Sequence, residues 1–206
     1  MDKAVTRQRE DLYRFLGNLY LWEVDLEQLK LMQELVAPQP CAVELWDDGW
    51  RELTTFLRGS DESCLDVLAV DYARTFLAAG VAQGQAAFPY ESVYTDRQRQ
   101  LGGVSGSELS ALYASKGLKP DENDFKVPND HIGLELIFMA HLCRGTKAEQ
   151  QAFLENHLWG WYAGFCRDVQ KYARTDFYKA VAKITAGFME LENKLLREEG
   201  VKWDTD

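Results

Sequence analysis

The residues of this chain that could carry out chemistry are concentrated in one segment, Asp130-His131 followed by Glu135. His131 and Glu135 are separated by one helical turn, so on a helix they could share a metal ion. His141 falls on a different face of the same helix. A di-iron bundle site needs paired Glu-x-x-His motifs, and the sequence supplies no such pair. We therefore expect no bound metal, and the simpler interpretation is a local ion pair between His131 and Glu135 or a polar network at the helix terminus.

Sequence motifs of enzymes are otherwise missing. The run Gly103-Val104-Ser105-Gly106-Ser107 misses the G-x-S-x-G pattern of a serine hydrolase, and the glycines around it lack the lysine of a phosphate-binding loop. The four cysteines are widely spaced without a C-x-x-C pair, which indicates neither a zinc knuckle nor a thioredoxin-type site. We expect no catalytic residue and no cofactor. We therefore predict that the chain is not an enzyme.

The same segment has a second chemical use, the recognition of a cationic peptide. Carboxylates such as Asp130 and Glu135 pair with a guanidinium through two parallel hydrogen bonds, and an aromatic ring such as Tyr90 adds a cation–π contact. We expect Asp130 and His131 to lie exposed at the start of a helix. The alternative assigns Asp130 to helix capping, His131 to a buried hydrogen bond and Tyr90 to packing.

Helices must position these residues. Apolar residues recur at spacings of three and four along most of the chain, and alternating β-branched runs bounded by hairpin turns are missing. We predict an all-α bundle of roughly eight to ten helices. The polar stretch 119–129 contains two prolines and is predicted to be a hinge, with an N-terminal lobe over 1–118 and a C-terminal lobe over 130–206.

Local signals place several helix ends. Asp25 is predicted to cap the second helix, and Thr146 with Glu149 forms a capping-box pattern further along. The glycine-rich stretch 80–106 is predicted to be an ordered loop or a broken helix. A short helix is then predicted from Ser107 to Lys116.

Composition limits the partners. The 206 residues include 46% hydrophobic residues, enough for a core, and their formal net charge is −10. This charge disfavours nucleic acid and anionic membranes and attracts a basic partner. The N-terminal residues 1–17 lack the apolar core of a secretory signal, and no apolar run is long enough to span a membrane. We expect a cytoplasmic chain without stable membrane insertion.

Two stretches resemble the TorD/DmsD family of redox-enzyme maturation chaperones. They are Pro89-Tyr90-Glu91-Ser92-Val93-Tyr94 and Pro128-Asn129-Asp130-His131-Ile132-Gly133-Leu134-Glu135-Leu136-Ile137-Phe138-Met139. In that family the second stretch typically reads E-P-D-D-H-I-G-x-E-L-x-F-M. The chain keeps the Asp-His pair, the glycine and the apolar helix, whereas Val127-Pro128-Asn129 departs from the usual acidic start. Weaker similarity at 71–76 and 153–178 extends the resemblance over about Asp71 to Phe188.

The resemblance implies a helical cytoplasmic chaperone. It would bind the twin-arginine signal peptide of a molybdopterin-containing oxidoreductase and hold the precursor until cofactor insertion and folding are complete. Asp130 would accept the peptide guanidinium, and His131 would bond the peptide or orient Asp130. The peptide-binding residues implied by position are Tyr72, Phe76, Pro89, Tyr90, Glu91, Asp130, His131 and Glu135. Tyr72, Phe76 and Tyr90 would contact the apolar part of the peptide.

Two further points follow from the same residues. Members of the family exchange lobes between subunits, so we expect a monomer or a lobe-swapped homodimer. Two rival functions are a metal-dependent helical enzyme centred on His131 and Glu135, and a regulatory helical module that binds a folded partner.

Overall fold

The computed structural model describes residues 2–35, 43–82, 84–96, 101–118 and 127–197. These ranges contain ten α-helices, one 3-10 turn and no strand, so the all-helical prediction is confirmed. The helices are α1 (Lys3–Leu21), α2 (Leu26–Leu35), α3 (Glu44–Arg58), α4 (Cys64–Phe76), α5 (Glu91–Thr95), α6 (Gly103–Ser115), α7 (Ile132–Leu142), α8 (Lys147–Asn156), α9 (Tyr162–Tyr172) and α10 (Asp176–Arg197). No helix in the described ranges is both long enough and apolar enough to cross a membrane.

The chain forms two compact units, each assembled from two separate stretches. Unit 1 comprises Met1–Leu21 and Pro89–Tyr162, and unit 2 comprises Trp22–Phe88 and Ala163–Asp206. Helices α6 and α7 lie on opposite sides of the predicted hinge in sequence, yet both belong to unit 1. The predicted lobes therefore differ from these units. Most of the hinge lies outside the described residues, so its role as a hinge stays a prediction.

Unit 1 is organised by the packing of α1 against α7. A Cβ atom added to Gly17 of α1 would lie 2.9 Å from the carbonyl oxygen of Gly133 in α7. A Cβ atom added to Gly133 would lie 2.7 Å from the carbonyl oxygen of Gly17. Both distances are shorter than real Cβ contacts, so the two glycines allow a close approach of the helix backbones. This packing holds the start of α7 in place.

In unit 2, glycines likewise allow a close approach of two helix backbones, those of α3 and α10. In α10, a Cβ atom on Gly187 would lie 2.7 Å from the backbone nitrogen of Trp46 in α3. In α3, a Cβ atom on Gly49 would lie 2.8 Å from the backbone nitrogen of Ile184. Aromatic side chains surround this crossing, and the rings of Trp46 and Phe188 are 5.9 Å apart. Large apolar side chains and backbone contact together form the core of this unit.

The helix ends show where local signals were sufficient. The capping box at Thr146 and Glu149 is confirmed, and Asp25 accepts a 2.8 Å hydrogen bond from the N–H of Gln28 as predicted. In contrast, α6 begins at Gly103, four residues before the predicted start at Ser107. Glycine is a poor helix former, so the first turn of α6 gave no helical signal in the sequence.

A buried acidic cluster as candidate functional site

The site lies in unit 1, where the start of α5 and the start of α7 are joined by backbone hydrogen bonds. The N–H of Ile132 donates to the carbonyl of Pro89 at 2.8 Å, and the N–H of Glu91 donates to the carbonyl of Asp130 at 2.9 Å. An isolated antiparallel bridge results. It places side by side the two stretches that carry the family resemblance.

Asp130 is fully buried, with 0% of its surface exposed. Its Oδ2 atom accepts a 3.0 Å hydrogen bond from the N–H of Ser92, so the side chain caps the N-terminus of α5. Its Oδ1 atom is buried without a hydrogen-bond partner. The expectation that Asp130 lies exposed is wrong, because the bridge turns the side chain towards α5 and away from solvent.

His131 is also buried, with 2% of its surface exposed. Its Nδ1 atom accepts a 3.1 Å hydrogen bond from the N–H of Gly133, which makes His131 the N-cap of α7. The ring meets Tyr90 edge to face at 5.2 Å. Burial lowers the pKa of His131 to about 3, so the imidazole is neutral near pH 7. The expected exposure is wrong here as well, and the alternative of a buried hydrogen bond is correct.

Glu135 lies one turn further along α7 and is fully buried. Its Oε2 atom accepts a 3.4 Å hydrogen bond from the indole N–H of Trp161, whereas Oε1 has no partner. Burial, followed by the neighbouring Glu91 and Asp130 carboxylates, raises the pKa of Glu135 well above its usual value. The predicted ion pair with His131 is wrong, since a histidine of such low pKa stays neutral and bonds the backbone instead.

Three further groups complete the cluster, Glu91, His157 and Tyr113, and sequence reasoning missed the last two. Glu91 is 5% exposed and contacts Nδ1 of His157 through its Oε2 atom at 3.1 Å. Burial and the carboxylates of the cluster raise the pKa of Tyr113, whose hydroxyl donates to the carbonyl of Asn129 at 3.0 Å. His157 lies in the weaker stretch of family similarity, which was the one signal that could have identified it.

The two remaining predicted residues, Tyr72 and Phe76, are distant from the cluster in sequence and belong to unit 2. Tyr72 and Phe76 belong to unit 2 and are 5% and 1% exposed. Their rings are 5.2 Å apart, and Phe76 meets Tyr178 edge to face at 5.3 Å. The structure therefore shows them as members of an aromatic core. Their participation in peptide binding stays a prediction.

The cluster offers hydrogen-bond acceptors. Within the described ranges, no group of three or more His, Cys, Asp or Glu side chains is arranged to hold a metal ion. Two carboxylates, on Asp130 and Glu135, instead keep an oxygen free of hydrogen bonds. Such oxygens accept bonds from a donor of complementary shape and charge. The fold and the cluster together define an all-helical protein whose candidate site is a buried group of acceptors.

Comparison with known proteins identifies the family. Residues 40–167 match the model of the nitrate reductase delta subunit family. The chain is 30% identical to the chaperone protein TorD of Shewanella loihica, across 91% of this chain and 92% of that one. It is 24% identical to TorD of Vibrio parahaemolyticus, across 96% and 98% of the two chains. The chain belongs to the nitrate reductase delta subunit family and, within it, to the TorD/DmsD group of redox-enzyme maturation chaperones.

The fold agrees with this assignment. The crystal structure of a protein described as a redox enzyme maturation protein, from Archaeoglobus fulgidus, superposes with a TM-score of 0.56 at 20% identity. The match covers 86% of this chain and 92% of that one. The family model and the TorD relatives together confirm the family resemblance. Because the relatives are chaperones, the prediction that the chain is not an enzyme is confirmed too.

Proposed function

We propose that this chaperone binds the twin-arginine signal peptide of a molybdopterin-containing oxidoreductase in the cytoplasm, and holds the precursor until cofactor insertion and folding are complete. Membership of the TorD/DmsD group supports the proposal. The observation that carries it is that two buried acidic side chains, Asp130 and Glu135, each have one oxygen without a hydrogen-bond partner, with Asp130 as the principal acceptor because the pKa of Glu135 is raised.

The free oxygens matter because buried acceptors are nearly always paired in folded proteins. Leaving one unpaired costs about 1–3 kcal/mol, and more when the group is charged. A ligand that supplies the missing donors recovers this cost on binding. Arginine is well suited, because its guanidinium carries five N–H donors and no acceptor, and its bonds to a carboxylate are charge-assisted.

The other residues around Asp130 support specific roles. Tyr90 is only partly buried, so its ring can contact an apolar or cationic group of the peptide. Pro89 holds the bridge through its carbonyl, and His131 fixes the start of α7. Glu91 adds a third acidic side chain, beside His157. The proposed site thus combines acceptors with an aromatic surface.

For Tyr72 and Phe76 the proposal rests on the family resemblance alone, because both rings are buried in unit 2. The net charge of −10 supports a basic partner and gives no support to nucleic acid or membrane binding. We propose a monomer or a lobe-swapped homodimer as the binding species.

The test is titration of the purified chain with a synthetic peptide that carries two adjacent arginines followed by an apolar stretch. Replacing both arginines by lysine should weaken binding about tenfold or more, since the ammonium group of lysine lacks the planar array of five donors that a guanidinium presents. Replacing both by glutamine should weaken it further. Equal affinity for all three peptides would contradict the proposal, and would favour the rival module that binds a folded partner.

A further inference from the structure

We propose that the peptide reaches the free oxygen of Asp130 through the first turn of α6, and that Gly106 keeps this approach open. This inference rests on the proposed function and assigns the route of access and one residue that controls it. Three observations carry it: the position of Gly106, the weakness of the turn, and the lack of any packing reason for a glycine there.

Gly106 faces the free oxygen directly. A Cβ atom added to Gly106 would lie 3.6 Å from Oδ1 of Asp130 and 3.9 Å from its Cγ atom. Beyond the chain neighbours and the backbone of α6, these are the atoms of the described residues within 4 Å of that position. The unpaired oxygen of a fully buried aspartate therefore borders a space that a side chain does not fill. A guanidinium N–H group donating to Oδ1 would stand in this space.

The turn that covers this space is weakly held. Of the glycines at positions 102, 103 and 106, Gly103 and Gly106 lie in α6, where a glycine costs up to roughly 0.5–1 kcal/mol relative to alanine. Gly102 precedes the helix at a φ of 77° and has no side chain to cap it, while its N–H donates to Oγ of Ser92 at 3.0 Å. Two apolar residues beside it, Leu101 and Val104, are 54% and 72% exposed. The turn can thus open at low cost and offers apolar contacts to an incoming peptide.

Packing does not explain the glycine. At Gly17 and Gly133, and likewise at Gly49 and Gly187, an added Cβ atom would lie less than 3 Å from backbone atoms of a neighbouring helix. At Gly106 the nearest atom outside α6 among the described residues is the side-chain Oδ1 of Asp130, 3.6 Å away, which is an ordinary van der Waals distance. Alanine therefore fits in the free protein and should improve the helix. Its methyl group would, however, occupy the space beside Asp130.

The experiment compares Gly106→Ala with Gly103→Ala. Gly103 is the matched control, because its added Cβ atom would also find its nearest neighbour at 3.6 Å, but on Asp96 rather than Asp130. Both variants should unfold thermally at or above the wild-type temperature. Gly106→Ala should bind the twin-arginine peptide roughly tenfold more weakly, as expected for one lost charge-assisted bond. Gly103→Ala stiffens the same turn without adding a methyl group beside Asp130, so it should lose clearly less affinity than Gly106→Ala.

Asp130→Asn separates this inference from the proposed function. If Asp130→Asn weakens binding while Gly106→Ala does not, the route through α6 is wrong and the proposed function stands. If neither weakens binding, the role of Asp130 itself is wrong. An equal loss of affinity in Gly106→Ala and Gly103→Ala would show that stiffening of the turn causes the effect. A Gly106→Ala variant with a lower unfolding temperature would show that the glycine is needed for packing. Either result would overturn the inference.

Discussion

Two buried aspartates, one in each unit, have opposite surroundings. Asp71 in unit 2 is 2% exposed, and both of its oxygens are bonded. Its Oδ2 atom accepts from the N–H and hydroxyl of Thr175 at 2.7 and 2.6 Å, and its Oδ1 atom accepts from the N–H of Arg174 and the hydroxyl of Thr75 at 3.0 and 3.1 Å. Asp130 in unit 1 is equally buried, yet Oδ1 has no partner.

The difference teaches that burial alone does not separate structural from functional carboxylates. Asp71 satisfies the backbone that leads into α10 and leaves no capacity for a ligand. Asp130 satisfies one N–H at the start of α5 and keeps an acceptor in reserve. We interpret the complete hydrogen-bond network of Asp71 as structural, whereas the free oxygen of Asp130 is the acceptor that the proposed function assigns to the peptide.

The largest effect should come from breaking the complete network. Asp71→Asn places an amide N–H₂ group where donors converge, so it should lower the free energy of unfolding by about 3–5 kcal/mol, as for a broken buried charge network. Asp130→Asn keeps an oxygen for Ser92 and should change stability by less than about 1 kcal/mol. Urea denaturation measures both. Similar losses in the two variants would remove the distinction between the aspartates.

A smaller effect is expected in the pH dependence of the free energy of unfolding, which reports on His131 beside Asp130. The folded-state pKa of His131 is about 3 and its ordinary value is 6.5, so the unfolded chain binds more protons between these values. The stability that neutral His131 contributes is fully present above pH 6.5 and is lost as pH falls towards 3. At pH 5 the loss should be about 2 kcal/mol.

The matched variant is His131→Asn, because asparagine is a good N-cap that does not titrate in this range. The difference in unfolding free energy between variant and wild type should grow in favour of the variant from pH 7 to pH 5. Glu135 acts in the opposite direction: its raised pKa contributes stability that is lost as pH rises above its ordinary value of 4.5. Because Glu135 is present in both proteins, the difference isolates His131. A difference independent of pH would show that His131 is not neutralised by burial.

Features set by neighbouring residues could be predicted from the sequence, whereas features set by distant residues could not. The capping box at Thr146 and the cap at Asp25 were predicted, because the signal and the structure both lie within a few residues. The burial of Asp130 and His131 was not, because it depends on a bridge to Pro89 and Glu91, far away in sequence. Helix periodicity carries no information about such a pairing.

The division into two units could not be predicted from the sequence for a related reason. Each combines distant stretches through one close helix packing, α1 with α7 and α3 with α10, and the glycines that permit it look like ordinary helix breakers in a sequence. The family resemblance did identify both halves of the acidic cluster. It also grouped Tyr72 and Phe76 with that cluster, although both residues belong to the core of unit 2.

The central claim, that Asp130 keeps an acceptor for a peptide arginine, is tested most directly by a double-mutant cycle. Isothermal titration would measure the binding of wild type and Asp130→Asn to peptides with arginine or glutamine at each arginine position. We predict that Asp130→Asn weakens binding of the arginine peptide by about 1.5–3 kcal/mol, and that most of this loss disappears with the glutamine peptide. Strictly additive losses would contradict the account and leave Asp130 as a helix cap alone.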